Sequence, residues 1–233
     1  MLAQIIETTS VVIAAATFVY GVGSWRRTVI GQKRVNLAVE GIIAFREVEQ
    51  AFREIRSPFS SSDEGATRRP RLGEAADDAR LGQQAYVAIE RLNARAERFA
   101  KLQSLKYQFE AYYGRDAMPP FDEILAIRNE IVRASFTLEN CWKKQGRKFP
   151  TQEEFDAHSQ RMHSAEEIFW EGYGDPDPIA LRIEGVMRQA DEICRDVIEP
   201  ARNIAVVSKN MLRRVQALLV MRVESQNSMS VYR

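Results

Sequence analysis

Eighteen consecutive residues without a charge, Thr8 to Trp25 (TTSVVIAAATFVYGVGSW), constrain this 233-residue chain more than any other feature. At about 1.5 Å per residue, a helix of that length spans roughly 27 Å, close to the ~30 Å hydrocarbon core of a bilayer. Leu2, Ala3, Ile5 and Ile6 extend the apolar run outward, and Tyr20 and Trp25 suit the aromatic belt at the other interface. Arg26, Arg27, Lys33 and Arg34 follow directly, and no Lys or Arg precedes the run. The pattern predicts a single membrane-spanning helix. Positive-inside asymmetry then places the N-terminus outside and the body in the cytoplasm. The four cations are expected to contact anionic lipid headgroups, at about 1 kcal/mol each. Two other readings compete with the anchor. A cleaved signal peptide wants its basic residues before the apolar stretch. A buried core helix of this length is also possible.

The small residues of the run fall on one stripe. Ser10, Ala14, Thr17, Gly21 and Ser24 recur in steps of four and three, and Thr28, Gly31, Val35, Ala38, Ile42 and Phe45 continue the rhythm. Small stripes let helices approach closely in lipid, and an apolar seam at heptad spacing packs helices in water. The prediction is one long helix to about Arg56 with a packing face along it. An ordinary abundance of small residues in membrane helices is the alternative.

The rest of the chain reads as an all-α body. Apolar residues make up 45% and charged residues 28%, as in ordinary folded domains. The formal net charge of +1 gives no reason to expect nucleic acid. Cys141 and Cys194 are too few for a disulfide scaffold and are expected to be reduced and buried. The expected organisation is an anchor over 1–27, its membrane-proximal continuation over 28–56, and a flexible loop over 57–79. A cytoplasmic antiparallel bundle of about four further helices over 80–225 and a frayed tail over 226–233 complete it.

Local signals place those helices. Ser57-Pro58 ends the first, and the Ser-, Gly- and charge-rich segment after it predicts a mobile loop whose Arg68, Arg69 and Arg71 are solvated or touch lipid or a partner. A helix from about Arg80 to Tyr113 buries Tyr86, Ile89, Leu92, Ala96, Phe99, Leu102, Leu105, Phe109 and Tyr112. Pro119-Pro120 opens the next, with Phe121, Ile124, Ile127, Ile131, Ala134 and Leu138 inward. Thr151 to Glu154 is a capping box, starting a helix with Phe155, Met162, Ala165, Ile168 and Phe169 inward. Asp177-Pro178 is an N-cap followed by proline at the first helical position, and Pro200 breaks or kinks the helix that results. Beyond it, Ile204 to Val223 is expected to pack on the first helix or lie on the bilayer surface.

No constellation for catalysis emerges. Glu-x-x-His is absent, and His158 and His163, five residues apart, lie on different sides of a helix. Glu154 with His158, or His163 with Glu167, would supply at most half a metal site. Neither a nucleophile elbow nor a phosphate-cradling glycine loop occurs. No catalytic, cofactor-binding or metal-binding residue is assigned. Arg91, Arg95 and Arg98, interleaved with Glu90 and Glu97, read as a solvated face opposite the helix core, and Arg213 and Arg214 as another. Phe169, Trp170 and Tyr173 read as core.

IRSPF (Ile55 to Phe59), YVAIERLNARAERFAKLQSLKYQF (Tyr86 to Phe109) and EEIFWEG (Glu166 to Gly172), with the N-terminal anchor, resemble a family of uncharacterised bacterial membrane-anchored helical proteins. The resemblance implies a bacterial inner-membrane setting and no particular activity. The expected role is non-enzymatic: a membrane-anchored protein that binds another membrane protein or itself. The alternatives are an effector that assembles and permeabilises the bilayer, and a tethered ligand sensor.

Overall fold

The structure is a computed structural model that describes residues 2–61 and 63–199, with the backbone alone described over 2–16. Among the described residues all regular structure is helical: α1 (Leu2–Arg56), α2 (Ala76–Ala94), α3 (Ala96–Tyr113), α4 (Pro119–Trp142), α5 (Gln152–Phe169) and α6 (Pro178–Ile198). A 3₁₀ turn over Arg115–Ala117 joins α3 to α4. The segment Ile204 to Val223 and the tail 226–233 lie outside the described residues.

α1 is one unbroken helix, and the packing face predicted along it is covered only in its distal part. Leu37, Ala38, Ala44, Phe45, Val48, Ala51, Phe52 and Ile55 are buried, so the second half of α1 is part of the bundle core rather than a connector to it. Upstream, Thr17, Gly21, Ser24, Thr28 and Gly31 are exposed. Phe18, Val19 and Tyr20 on the same stretch are exposed as well, whereas Ala38 and Phe45 of the stripe are buried in the bundle.

α3 and α6 line the buried face of α1, and α4 packs against α2 and α5 behind them. α6 runs antiparallel to α1: Asp177 meets Arg56 at 3.0 Å, and Cys194 lies beside Gly41, where a Cβ would come within 3.6 Å of its Sγ. Phe45, Phe121, Phe109 and Tyr113 join these helices in a chain of ring contacts with centroids 4.8 to 5.1 Å apart. The predicted inward face of α4 is buried throughout, as are Ile179, Ile183, Val186 and Ala190 of α6.

The caps follow the sequence. Thr151 Oγ1 accepts from the Glu154 N–H at 3.2 Å. Asp177 Oδ1 accepts from the N–H groups of Ile179 and Ala180 at 3.0 Å each, with Pro178 opening α6.

Three expectations are corrected. The helix predicted from Arg80 to Tyr113 is two helices, starting at Ala76 and broken at Arg95 (φ −113°, ψ 14°), which makes five helices after α1 among the described residues rather than about four. The local sequence contains no Gly or Pro there. The bend comes from tertiary contacts, α2 leaning on α4 and α3 on α1. Tyr86 and Ile89 are consequently half-buried, and Ala96 and Tyr112 are exposed. Phe155 points outward, 47% exposed, and stacks edge-on against Phe149. The segment before α2 is also pinned, at Arg68, by buried ion pairs.

Candidate functional site

Two regions stand out, at opposite ends of α1's described side chains. The first is the exposed stretch of α1 from Thr17 to Gly31. Phe18, Val19, Tyr20, Val22, Trp25, Val29 and Ile30 are all exposed, the first three by 71 to 73%. Successive residues on a helix are 100° apart, so Phe18, Val19 and Tyr20 alone point in three directions round it. Thr17, Gly21 and Ser24 of the predicted stripe lie among them, while the side chains of Ser10 and Ala14 lie outside the described residues. A Cβ added to Gly21 would meet nothing within 4 Å. Among the described residues no helix is long and apolar enough to cross a membrane, and the side chains of Thr8 to Ala16 are not among them.

The basic flank divides. Arg26, Arg27 and Lys33 are exposed. Arg34 is half-buried: its guanidinium lies 5.1 Å from the Tyr113 ring centre, and its backbone carbonyl accepts the Tyr113 hydroxyl at 2.6 Å. Arg34 therefore serves the seat of α1 on α3, through a cation–π contact.

The second region is the far end of α1, where three arginines replace water around exposed backbone carbonyls and carboxylates. Arg56, 2% exposed, donates to the carbonyls of Glu167, Ile168 and Trp170 at 2.8 to 2.9 Å and to Asp177. It closes the C-terminal turn of α5, whose carbonyls have no partner within the helix. Arg91 does the same for α1, donating to Ile55, Ser57 and Phe59 carbonyls and to Glu64. Arg68 grips Glu74 through two bonds of 2.8 and 2.9 Å and Glu139 through one of 2.8 Å, with Lys143 bridging both carboxylates. Gly82 makes room, since a Cβ there would fall 2.5 Å from the Arg68 guanidinium carbon.

These placements overturn the reading of Arg91, Arg95 and Arg98 as a solvated face, and of Arg68 as loop charge. Arg91 is buried, and Arg95 and Arg98 both turn to Glu54 on α1. The carboxyl groups carry the imprint. The Arg91 hydrogen bonds hold Glu64 below the ordinary 4.5, and those of Arg68 and Lys143 do so for Glu74. Burial pushes Glu139 and Asp177 up, but hydrogen bonds from Lys143 and Arg68, and from Arg56 and backbone N–H groups, outweigh it and leave both lowered. Sequence reasoning missed these roles because an arginine's partners are distant in the chain, 111 to 121 residues away for Arg56.

The remaining candidates resolve simply. Burial pushes the Cys194 thiol up to about 12 and raises Cys141, the opposite of an activated nucleophile. His163 reaches Glu167 at 3.4 Å on the surface of α5, and His158 packs against the Phe149 ring. Among the described residues no three His, Cys, Asp or Glu side chains are grouped to hold a metal ion. Phe169 is core, stacked edge-on with Trp142 and Trp170, whereas Tyr173 is exposed and donates to Glu166 at 2.8 Å.

The class that fold and site define is an all-α bundle built on the distal half of a 55-residue helix that carries exposed apolar side chains between Phe18 and Ile30. No family model, curated protein or solved structure matches the chain.

Proposed function

We propose that the chain is a membrane-anchored, non-enzymatic helical protein that acts through protein–protein contact or self-assembly at the cytoplasmic face of a bacterial inner membrane. The observation that carries this reading is the run of exposed apolar side chains on α1 between Phe18 and Ile30. A helix that is apolar all round belongs in a core or a bilayer, and Phe18, Val19, Tyr20 and Trp25 have no core around them. Exposed Arg26, Arg27 and Lys33 follow directly, where headgroups would lie. Thr17, Gly21 and Ser24 offer a face on which neighbouring helices can meet.

Membrane flotation after alkaline extraction tests the anchor. The full chain should float with lipid, and recovery in the extract refutes the anchor. Orientation is read by introducing Ser60→Cys in the exposed loop and labelling spheroplasts with an impermeant maleimide. Labelling should require permeabilisation. A permeabilising effector would use the same face, and release of a vesicle-entrapped dye separates the two readings.

A further inference from the structure

We propose that a second copy of this chain covers the outward face of α1, the two helices running parallel in a coiled coil whose register Asn36 sets. The inference names the partner and the seam of the self-assembly put forward above, and it takes only the parallel sense from the anchor.

Phe18, Val22, Trp25, Val29, Val39 and Ile43 fall in alternating steps of four and three once Gln32 and Asn36 are counted between Val29 and Val39. That is the heptad spacing of a coiled-coil seam. All eight are exposed, the six apolar ones by 43 to 71%. The bundle does not use this face. At 100° per residue, Val39 lies about 160° round the helix from Leu37, and Ile43 about 140° from Val48; Leu37 and Val48 are both buried. Thr17, Gly21 and Ser24 each precede a seam residue by one position, so their stripe lies about 100° to one side. Beside Ile43 the seam borders an open groove of about 630 Å³ between α1 and α3, which leaves its distal end accessible. Arg46, next in the series, pairs with Glu49 of its own helix at 2.8 Å and ends the apolar part.

The residues in the seam select the partner. Val22, Val29, Asn36 and Ile43 take the first core position of successive heptads, and Trp25, Gln32 and Val39 the second. β-Branched residues at the first position favour two parallel strands, and a single asparagine among them fixes register and oligomer state. An in-register copy brings its own Asn36 to the same height. On the flanks, Arg26, Lys33 and Glu40 oppose Gly21, Thr28 and Val35 of a parallel copy, so no like charges meet. Two copies together expose roughly 700–1,200 Å² on the twelve apolar seam side chains, in the range of the ~1,000 Å² that a specific interface needs. Two copies held by their N-termini in one bilayer must run parallel.

Oxidative crosslinking of single-cysteine additions in the full chain, in membranes and in neutral detergent, tests the seam. Val29→Cys and Ile43→Cys should each give covalent dimers. Gly31→Cys, exposed on another side of α1, and the parent, whose Cys141 and Cys194 are buried, should not. Ile43→Glu places two like charges in the seam and should weaken the dimer at least about tenfold by sedimentation in detergent, with circular dichroism unchanged because the side chain is exposed. Asn36→Val should keep association and broaden the oligomer distribution beyond the dimer. The proposal is overturned if Val29→Cys and Ile43→Cys crosslink no better than Gly31→Cys. Slow maleimide labelling of the same two cysteines in a monomer would assign the face to residues 200–233 of the same chain and overturn it too. So would crosslinks that form only between Val29→Cys and Ile43→Cys copies, which mark an antiparallel pair. Flotation reads the anchor separately, so an anchored protein without these crosslinks removes the seam alone.

Discussion

Arg56 and Asp177 meet at 3.0 Å across 121 residues of chain, and the contact does three jobs at once. It ends α1, closes the C-terminal turn of α5 through the carbonyls that Arg56 also binds, and seats the N-cap of α6. Removing the cation takes the donor from three carbonyls and leaves the Asp177 carboxylate with backbone N–H groups but no counter-charge. Arg56→Met should cost about 3–5 kcal/mol, the range for breaking a buried pair from one side. Asp177→Asn keeps an acceptor for the cap and should cost less. Urea denaturation of the two variants checks the order, and equal losses would contradict it.

Gly41 marks the closest approach in the core. A Cβ there would lie 2.5 Å from Phe109 Cζ and 2.9 Å from Cε2, and Phe109 is itself 1% exposed and stacked on Tyr113. Alanine is a better helix former than glycine by about 1 kcal/mol, but overpacking typically costs 1–3 kcal/mol (order of magnitude). Gly41→Ala should therefore be neutral to destabilising despite its propensity. Combining it with Phe109→Leu should recover part of any loss in thermal midpoint.

Acid should loosen the distal end first. Glu64, Glu74, Glu139 and Asp177 all have folded-state pKa values below the ordinary 4.5 or 3.8. Carboxyls depressed in this way contribute stability above their unfolded pKa, and lose it as pH falls through the folded one. The urea midpoint should be flat near neutrality and fall below about pH 5. In Glu139→Gln that fall should be shallower, starting from a lower plateau.

Thiol chemistry offers a probe of packing. Cys194 is 0% exposed and Cys141 4%, and burial raises both thiol pKa values. Neither should react with maleimide in the native protein at neutral pH, and both should react promptly in denaturant. Fast native labelling of Cys194 would mean that α6 does not stay on α1.

Gly21→Ile tests assembly without disturbing the fold, because nothing lies within 4 Å of the added carbon. If the Thr17–Gly21–Ser24 face joins copies, crosslinked oligomers in detergent should fall sharply while the melting temperature stays put. An unchanged crosslinking pattern would remove that face from the interface.

What the sequence made legible was what depends on neighbours in the chain. Asp177-Pro178, Thr151 with Glu154, and the isoleucines of α4 act within a few residues, and their patterns read directly. Arg56, Arg68 and Arg91 looked like surface charge because their partners sit on other helices. The break at Arg95 carried no Gly or Pro to announce it, and it follows from the competing pulls of α1 and α4. The apolar run of α1 was legible in composition, whereas the point near Leu37 where the bundle begins to cover it depends on helices distant in the chain.

The antiparallel course of α6 has a mechanical consequence. Arg56 opposes Asp177 and Gly41 adjoins Cys194, so Glu199 comes to rest opposite about residue 36 of α1, at a rise of about 1.5 Å per residue. A tug between the proximal half of α1 and the chain beyond Glu199 therefore peels α6 away in the manner of a zipper, one layer at a time. Pulling on the loop at Ser60 against the same half of α1 would instead load the whole length of the helix in tension. The bundle should yield at low force in the first geometry and resist in the second.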